Sequence, residues 1–125
     1  MKVVLDIETD GFNPSKIHCI VAKDINNNTV TIWDSGNMYG FKNWAKGVDT
    51  FIMHNGLSFD APVLNRLLDA EILPGNIVDT LILSQLFNPI REKGHSLKAW
   101  GEKLNMLKGG EGVNFSKYNQ AMLDY

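Results

Sequence analysis

The sequence predicts an α/β protein in which helices flank a mixed β-sheet. Two observations carry this prediction. Three strand-like segments with short connections come first, and strand-like segments then alternate with helical ones. Short connections favour an antiparallel meander, whereas strand–helix alternation favours parallel strands with helices on the faces of the sheet. A chain of 125 residues is long enough for one domain with a real core, so we expect a single domain over residues 1–125.

The three early strands are predicted from apolar, β-branched runs that turn residues separate. The first is "KVVLDIET" at 2–9, and its apolar start is typical of a central strand that is buried on both faces. The segment "DGFNPSK" that follows has turn chemistry. "IHCIVAKDI" at 17–25 and "TVTIWDS" at 29–35 are the next two strands, and the turn "NNN" divides them.

The second half of the chain alternates short strands with helices. "TFIMHN" at 50–55 predicts a strand, and "SFDAPVLNRLLDAEI" at 58–72 predicts an amphipathic helix that Ser58 caps. "GNIVDTLILSQLF" at 75–87 predicts a brief strand that runs into a helix. Three further helical segments are expected: "YGFKNWAKGV", "SLKAWGEKLNML" with Ser96 as its cap, and "NFSKYNQAMLDY". The two longer amphipathic segments carry apolar stripes at Val63, Leu64, Leu67 and Leu68, and at Leu97, Trp100, Leu104 and Leu107.

Composition excludes several classes of protein. The net charge of −2 argues against a broad basic face that grips duplex DNA. No apolar run approaches the roughly 18 to 20 residues that span a bilayer, and the N-terminus lacks a signal-peptide pattern, so we expect a cytoplasmic protein without membrane contact. The single cysteine, Cys19, excludes an internal disulfide and forms no zinc spacing with His18 or His54, which we expect in the core or at strand edges.

Two carboxylates stand at the end of the first strand. Asp6 and Glu8 are two residues apart, so their side chains point to the same face. A pair of unpartnered buried carboxylates costs several kcal/mol through desolvation and repulsion, so a cation should compensate them. No Lys or Arg is near in "VVLDIET", and carboxylate oxygens suit Mg²⁺ or Mn²⁺. The alternative is a strand that ends at Leu5 and leaves both acids in solvent.

A second polar group lies in "HNGLSFD" at 54–60. Asn55 and Asp60 flank a transition from strand to helix, and Asp60 falls in the first helical turn, where the helix dipole favours an anion. Capping and turn formation explain these residues when they are taken alone. Together with Asp6 and Glu8, Asp60 would supply a third carboxylate to one site.

These motifs resemble a known family. "LDIETDG" followed by "HNGLSFDAPVL" resembles the D-x-E and N-x-x-x-(Y/F)-D motifs of the DEDD 3′–5′ exonucleases, which have a ribonuclease H-like fold. "IVDTLILSQLF", "GHSLKAWGEKL" and "MLDY" resemble segments that follow in the same order in the N-terminal proofreading domain of family A DNA polymerases from short-tailed phages. The resemblance covers nearly the whole chain and points to the tyrosine subclass.

The resemblance implies a metal-dependent hydrolase. Asp6, Glu8 and Asp60 would bind two divalent ions, Mg²⁺ or Mn²⁺, of which one activates water and the other stabilises the leaving 3′ oxygen. The substrate would be a single-stranded or frayed DNA 3′ end, and the product a nucleoside 5′-monophosphate. The implied setting is proofreading in phage replication, in the host cytoplasm, with a DNA polymerase domain or subunit as partner.

The resemblance also assigns residues around the substrate. By this resemblance Thr9 and Asn55 would contact the terminal nucleotide. By residue type alone, Phe12 would stack on a base and His95 would touch a phosphate. The alternative for His95 is a solvated loop residue. Asp79 falls near the site by family position, but it precedes an apolar helix, so capping is the favoured role.

The third family motif, Y-x-x-x-D, is incomplete in this chain. Tyr125 matches the tyrosine that orients the water, but the partner Asp would fall at position 129, and Asp124 is a poor substitute because it lies about 100° around a helix from Tyr125. The domain is therefore expected to end within this motif. Two alternatives stay open: a catalytically incomplete module that binds nucleic acid or docks onto a polymerase, and an enzyme that acts on short RNA.

Overall fold

The computed structural model describes residues 1–91 and 93–104, and these form a five-stranded sheet with helices and short turns of 3₁₀- and π-helix. The strands are β1 Lys2–Thr9, β2 Ile17–Asp24, β3 Val30–Trp33, β4 Thr50–Met53 and β5 Ile77–Asp79. The helices are α1 Phe41–Ala45, α2 Ala61–Leu68, α3 Thr80–Phe87 and α4 Leu97–Lys103. The 3₁₀ turns are Met38–Gly40 and Pro74–Asn76, and the π-helical turn is Gly56–Asp60.

The sheet has the mixed topology that the sequence predicted. The strand order is β3-β2-β1-β4-β5. β1, β2 and β3 form the antiparallel meander, with Asp6 opposite Val21. β4 joins the other edge of β1 in parallel and β5 joins β4 in parallel, which the strand–helix alternation indicated. The predicted α/β class with a mixed, helix-flanked sheet is confirmed.

The core lies on one face of this sheet. Val3, Leu5 and Ile7 of β1 point into it and are at most 5% exposed. The apolar residues that pack with them come from every strand up to β4 and from α1 and α2, among them Ile20, Trp33, Phe41, Phe51, Met53, Val63 and Leu64. Burial of apolar area on this scale is the main force that holds the sheet to its helices.

The prediction that β1 is buried on both faces was wrong for the first part of the strand. Lys2, Val4 and Asp6 alternate with the core residues and are exposed, Val4 to 46%. Buried and exposed residues alternate along the start of the strand, but the sequence does not show this alternation, because Val3 and Val4 are both apolar and point to opposite faces. One face of β1 is therefore exposed as far as Asp6, whereas both faces are buried from Ile7 to Thr9.

Helix α2 begins later than expected. The predicted apolar stripe of α2 is confirmed, since Val63 and Leu64 are buried and Leu67 and Leu68 pack against the core. Ser58 is not its cap, because it is exposed inside the π-helical turn and makes no capping hydrogen bond. α2 also ends at Leu68, where Asp69 turns to a positive φ of 52°.

The C-terminal helices agree with the prediction in part. Ser96 accepts a hydrogen bond from the Ala99 amide at 3.0 Å, which confirms it as the cap of α4. Of the predicted stripe of α4, Trp100 is half-buried, whereas Leu97 and Leu104 are 40% and 60% exposed. Leu107 and the helix predicted over "NFSKYNQAMLDY" lie outside the described residues.

Candidate active site

The carboxyl end of β1 presents the first two acids. Asp6 is exposed, whereas Glu8 is 7% and Thr9 is 6% exposed. The pairing of β1 with β2 shifts its register between Glu8 and Thr9, and such an irregularity redirects side chains at the end of a strand. The predicted alternative, a strand that ends at Leu5 with both acids in solvent, is thereby excluded.

The π-helical turn between β4 and α2 presents the third acid. Asn55 opens this turn with a left-handed backbone (φ 64°), which Asn tolerates better than most residues. Gly56 follows, and a Cβ there would lie 2.4 Å from the Met53 Cβ, so the chain can pass this core side chain only as glycine. π-Helical turns often mark functional sites. Here the turn buries Asp60 to 4% exposure, with its carboxylate close to β1.

The carboxyl group of Asp60 has a strongly raised pKa. Its pKa is raised to about 8, first by burial, then by the charge of Asp6, with smaller effects of Asp79 and Glu8. Its Oδ2 atom is buried and makes no hydrogen bond. The charges of Asp6, Glu8 and Asp79 therefore act on Asp60, and one buried oxygen of Asp60 makes no hydrogen bond.

Asp79 organises this neighbourhood from the end of β5. Its carboxylate accepts the amides of Leu81 at 3.0 Å and Ile82 at 3.4 Å, which confirms the predicted capping of α3. It also accepts the amides of Asn55 at 2.9 Å and Leu57 at 3.0 Å. This second role, anchoring the turn that carries Asp60, was not predicted. A sequence signals a cap through local spacing, but carries no such signal for a contact 24 residues away.

The loop after β1 presents Phe12. This side chain is fully exposed, four residues beyond Glu8. Thr9 lies at the start of the loop, and its hydroxyl donates to the Gly11 carbonyl at 2.8 Å. Asn55 is partly exposed at the mouth of the π-helical turn. Thr9 and Asn55 thus lie at the ends of the neighbouring parallel strands β1 and β4, and contact of all three residues with a nucleotide stays a prediction.

His95 occupies a hydrogen-bonded network between α3 and α4. Its Nδ1 lies 2.6 Å from the Ser84 hydroxyl, which also accepts the indole N–H of Trp100 at 2.7 Å. The alternative of a simply solvated histidine is therefore wrong, and phosphate contact stays a prediction. Tyr125 and Asp124 lie outside the described residues.

The other singled-out groups take structural roles. Cys19 is buried opposite Glu8, and its pKa is raised to about 11 by burial and by the charges of Glu8 and Asp6, so the thiol stays protonated. His18 is buried, as predicted. His54 directly follows β4 and is half-buried, and its Nδ1 lies 2.9 Å from the Thr80 hydroxyl.

The acids offer hard oxygen ligands to a divalent cation. The residues fit such an ion in chemistry, because a buried, unpartnered carboxylate oxygen of Asp60 is destabilised by the neighbouring negative charges, and a cation would relieve both effects. In the described part of the chain, however, no three His, Cys, Asp or Glu side chains are gathered closely enough to hold a metal. Binding would therefore draw the carboxylates together.

Comparisons with known proteins agree with this picture. No family model matches the chain. In an alignment that extends over 169 residues, it is 26% identical to the DNA-directed DNA polymerase of Enterobacteria phage T3. In one that extends over 170 residues, it is 26% identical to the DNA-directed DNA polymerase of Escherichia phage T7. Each alignment covers 98% of this chain, which spans about a quarter of the length of these relatives (24%).

A solved structure shares the fold. The family B DNA polymerase from the hyperthermophilic archaeon Pyrobaculum calidifontis superposes with a TM-score of 0.61 over 82% of this chain, at 16% identity and over 18% of its own length. Together with the phage relatives, this match supports the resemblance found in the motifs. The chain therefore has a fold that is also found within a DNA polymerase, and it is similar in sequence to phage DNA polymerases over nearly its whole length. No helix in the described residues is long and apolar enough to cross a membrane.

Proposed function

We propose that this domain is a metal-dependent 3′–5′ exonuclease that removes nucleoside 5′-monophosphates from single-stranded or frayed DNA ends, as in proofreading. The observation that carries the proposal is the buried Asp60, whose unpartnered oxygen lies in the field of Asp6 and Glu8. Similarity to DNA polymerases over 98% of the chain supports a role in DNA replication, in the phage setting of those relatives.

Asp6, Glu8 and Asp60 are the proposed metal ligands, for Mg²⁺ or Mn²⁺. Two ions bound there would supply an activated water and stabilise charge on the leaving oxygen. The exposed Asp6 can approach an incoming ion from solvent, whereas Glu8 and Asp60 are held by the register shift of β1 and by the π-helical turn. The protein thus contributes two fixed carboxylates and a more accessible one.

The substrate residues surround these ligands in the proposal. Thr9 and Asn55 border the acids at the ends of β1 and β4 and would orient the terminal nucleotide. Phe12 would stack on a base, His95 would contact a phosphate, and Tyr125 would orient the attacking water. A site that holds a few nucleotides through metal ions needs no broad basic face, which is consistent with the net charge of −2.

The experiment that tests this proposal measures the degradation of a 5′-labelled single-stranded DNA oligonucleotide in Mg²⁺ and in Mn²⁺. We expect a ladder that shortens from the 3′ end, that EDTA abolishes, and that is lost in the Asp6→Ala/Glu8→Ala double variant while the fold persists. Asp24→Asn is the matched control, because Asp24 pairs with Val3 at the opposite end of the sheet. A fully active double variant would overturn the assignment. The same assay on an RNA strand separates DNA from RNA preference.

A second candidate function is a catalytically incomplete module that docks onto a polymerase or binds nucleic acid without cutting it. The observation that favours it is the apolar surface of α3 and the following loop, where Leu86, Phe87 and Ile90 are 70%, 84% and 92% exposed. Exposed apolar groups in such a row are typical of interaction surfaces. A folded chain that binds the labelled strand but never shortens it would support this candidate over the first.

A further inference from the structure

The loop that presents Phe12 is fixed from within by Asp10. The Asp10 carboxylate accepts the Ser15 amide at 3.0 Å, the Ser15 hydroxyl at 2.7 Å and the Lys16 amide at 3.2 Å. The Asp10 amide in turn donates to the Lys16 carbonyl at 3.2 Å. These bonds close residues 10–16 into one ring of hydrogen bonds. The pKa of Asp10 is lowered, chiefly by the Ser15 hydroxyl, so its carboxylate stays charged at neutral pH.

Arg66 fixes the same loop from outside. Its guanidinium reaches from α2 and donates to the Pro14 carbonyl at 2.6 Å, and Pro14 itself is buried. α2 is the helix that the π-helical turn with Asp60 leads into, and the loop is the one that follows Glu8. A single contact between residues 52 positions apart therefore ties the loop of the first motif to the helix of the second.

The restrained loop keeps one large apolar side chain entirely in water. Phe12 is 100% exposed, although Pro14 two residues later is buried. Gly11 gives the chain the φ of 154° that turns Phe12 outward, a conformation that other residues rarely adopt. An aromatic ring that a fixed loop, directly after Glu8, holds in solvent suits stacking on a base, which every nucleotide offers.

We propose that Asp10 and Arg66 are positioning residues that hold the Phe12 ring for stacking on the terminal base of a single strand. The proposal rests on the proposed nucleic-acid substrate and deepens it, because it names what sets the base-binding surface. A prearranged ring loses little conformational freedom on binding, whereas a loosened loop must first be ordered. Loss of either tether should therefore weaken stacking without removing Phe12 itself.

The test uses a single-stranded oligonucleotide with 2-aminopurine at its 3′ end, whose fluorescence falls when the base stacks. Titration in EDTA, and again in Ca²⁺, should show quenching by the unaltered chain. Phe12→Ala should weaken binding about 5-fold or more and remove the quenching. Arg66→Met, which keeps the aliphatic stem but loses the donor, should weaken binding about 3-fold or more and reduce the quenching at saturation.

Three comparisons separate positioning from general damage. Arg66→Lys restores a donor to the Pro14 carbonyl and should recover most of the quenching. Lys42→Met is the matched control, because it removes a surface ion pair to Asp69 next to α2 without touching the loop, and it should behave as the unaltered chain. The Phe12→Ala/Arg66→Met double variant should bind no more weakly than Phe12→Ala, since the two changes remove one interaction.

Three outcomes would each overturn the proposal. The first is a loss of affinity in the double variant that equals the sum of the two single losses. The others are unaltered quenching in Arg66→Met and no quenching by the unaltered chain in either buffer. The EDTA titration does not depend on metal or on hydrolysis. Failure of the exonuclease proposal would appear as absent cleavage with quenching intact, and is therefore distinguishable from failure of this inference.

Discussion

Asp60 combines burial with an unusually high proton affinity. Its side chain is 4% exposed, one oxygen makes no hydrogen bond, and its pKa is raised to about 8 by burial and by the charge of Asp6. A group in this state is costly when ionised, because the folded chain supplies little solvation or compensating positive charge. Such costs concentrate at functional sites, where a ligand relieves them.

The sign of this shift predicts the pH dependence of stability. The folded chain keeps the Asp60 proton up to about pH 8, whereas the unfolded chain releases it near 3.8. The folded state therefore binds more protons between these values, and its free energy of unfolding falls as pH rises, by up to about 1.4 kcal/mol per unit. Denaturation of the metal-free protein in EDTA at several pH values measures this slope.

Asp60→Asn removes the titrating proton from the same position with nearly the same shape. We expect a flatter pH profile for this variant and a higher free energy of unfolding than the unaltered chain at pH 8. Asp24→Asn should leave the slope unchanged, because this residue lies at the far end of the sheet. An equally steep slope in Asp60→Asn would assign the pH dependence to another group.

At the level of elements, one carboxylate joins three of them. Asp79 ends β5, caps α3 and holds the amides of Asn55 and Leu57 in the turn after β4. Asp79→Ala leaves four amides without this acceptor, and loss of a cap together with unsatisfied buried donors should cost about 2 kcal/mol or more. Asp79→Asn keeps one acceptor oxygen and should cost less. Thermal or denaturant unfolding measures both.

A positional effect should accompany the loss of stability in Asp79→Ala. The turn that carries Asp60 loses its anchor, so the steep pH profile assigned to Asp60 should flatten in the same variant. Thr80→Ala provides the control, since it removes the neighbouring contact with His54 at 2.9 Å but leaves the amides of the turn bound. A profile as steep as that of the unaltered chain would mean that the turn holds Asp60 without Asp79.

The elements were predictable where their signals are local. The meander, the strand of Ile77–Asp79 and the Ser96 cap all follow from hydrophobic period and turn residues. The cap at Ser58 was mispredicted, because the turn over Gly56–Asp60 is π-helical and its geometry depends on the close passage of Gly56 over Met53. The exposure of one face at the start of β1 was also not predicted, since burial depends on what packs against each face.

The candidate site was predictable by residue type and only partly by arrangement. Asp6 and Glu8 were placed on one face by the period of a strand, and Asp60 joined them through the motif resemblance. The tethers that set the geometry escaped prediction. Asp79 reaches Asn55 across 24 residues and Arg66 reaches Pro14 across 52, and no local pattern encodes a contact at such a separation.

For the whole molecule, a divalent cation should act as a stabilising ligand. Asp6 and Glu8 stand on β1 and Asp60 stands on the π-helical turn, so an ion that draws them together joins the end of β1 to the turn before α2. An ion that binds only the folded chain adds RT ln(1 + [L]/Kd), about 2.7 kcal/mol at 100 times Kd. For a domain of this size, Mn²⁺ at that excess should raise Tm by about 8 °C.

The rise in Tm should be larger at pH 8 than at pH 6, because the ion competes with the proton on Asp60, whose pKa is raised to about 8. Asp60→Asn and Asp6→Ala/Glu8→Ala should each lose most of the rise, while Asp24→Asn should keep it. Scanning calorimetry with and without Mn²⁺ measures the effect without any substrate. The metal-free chain loses stability at the pH values where Asp60 ionises, and a bound ion should offset this loss of stability. An equal rise in Tm in the unaltered chain and all three variants would place the cation elsewhere.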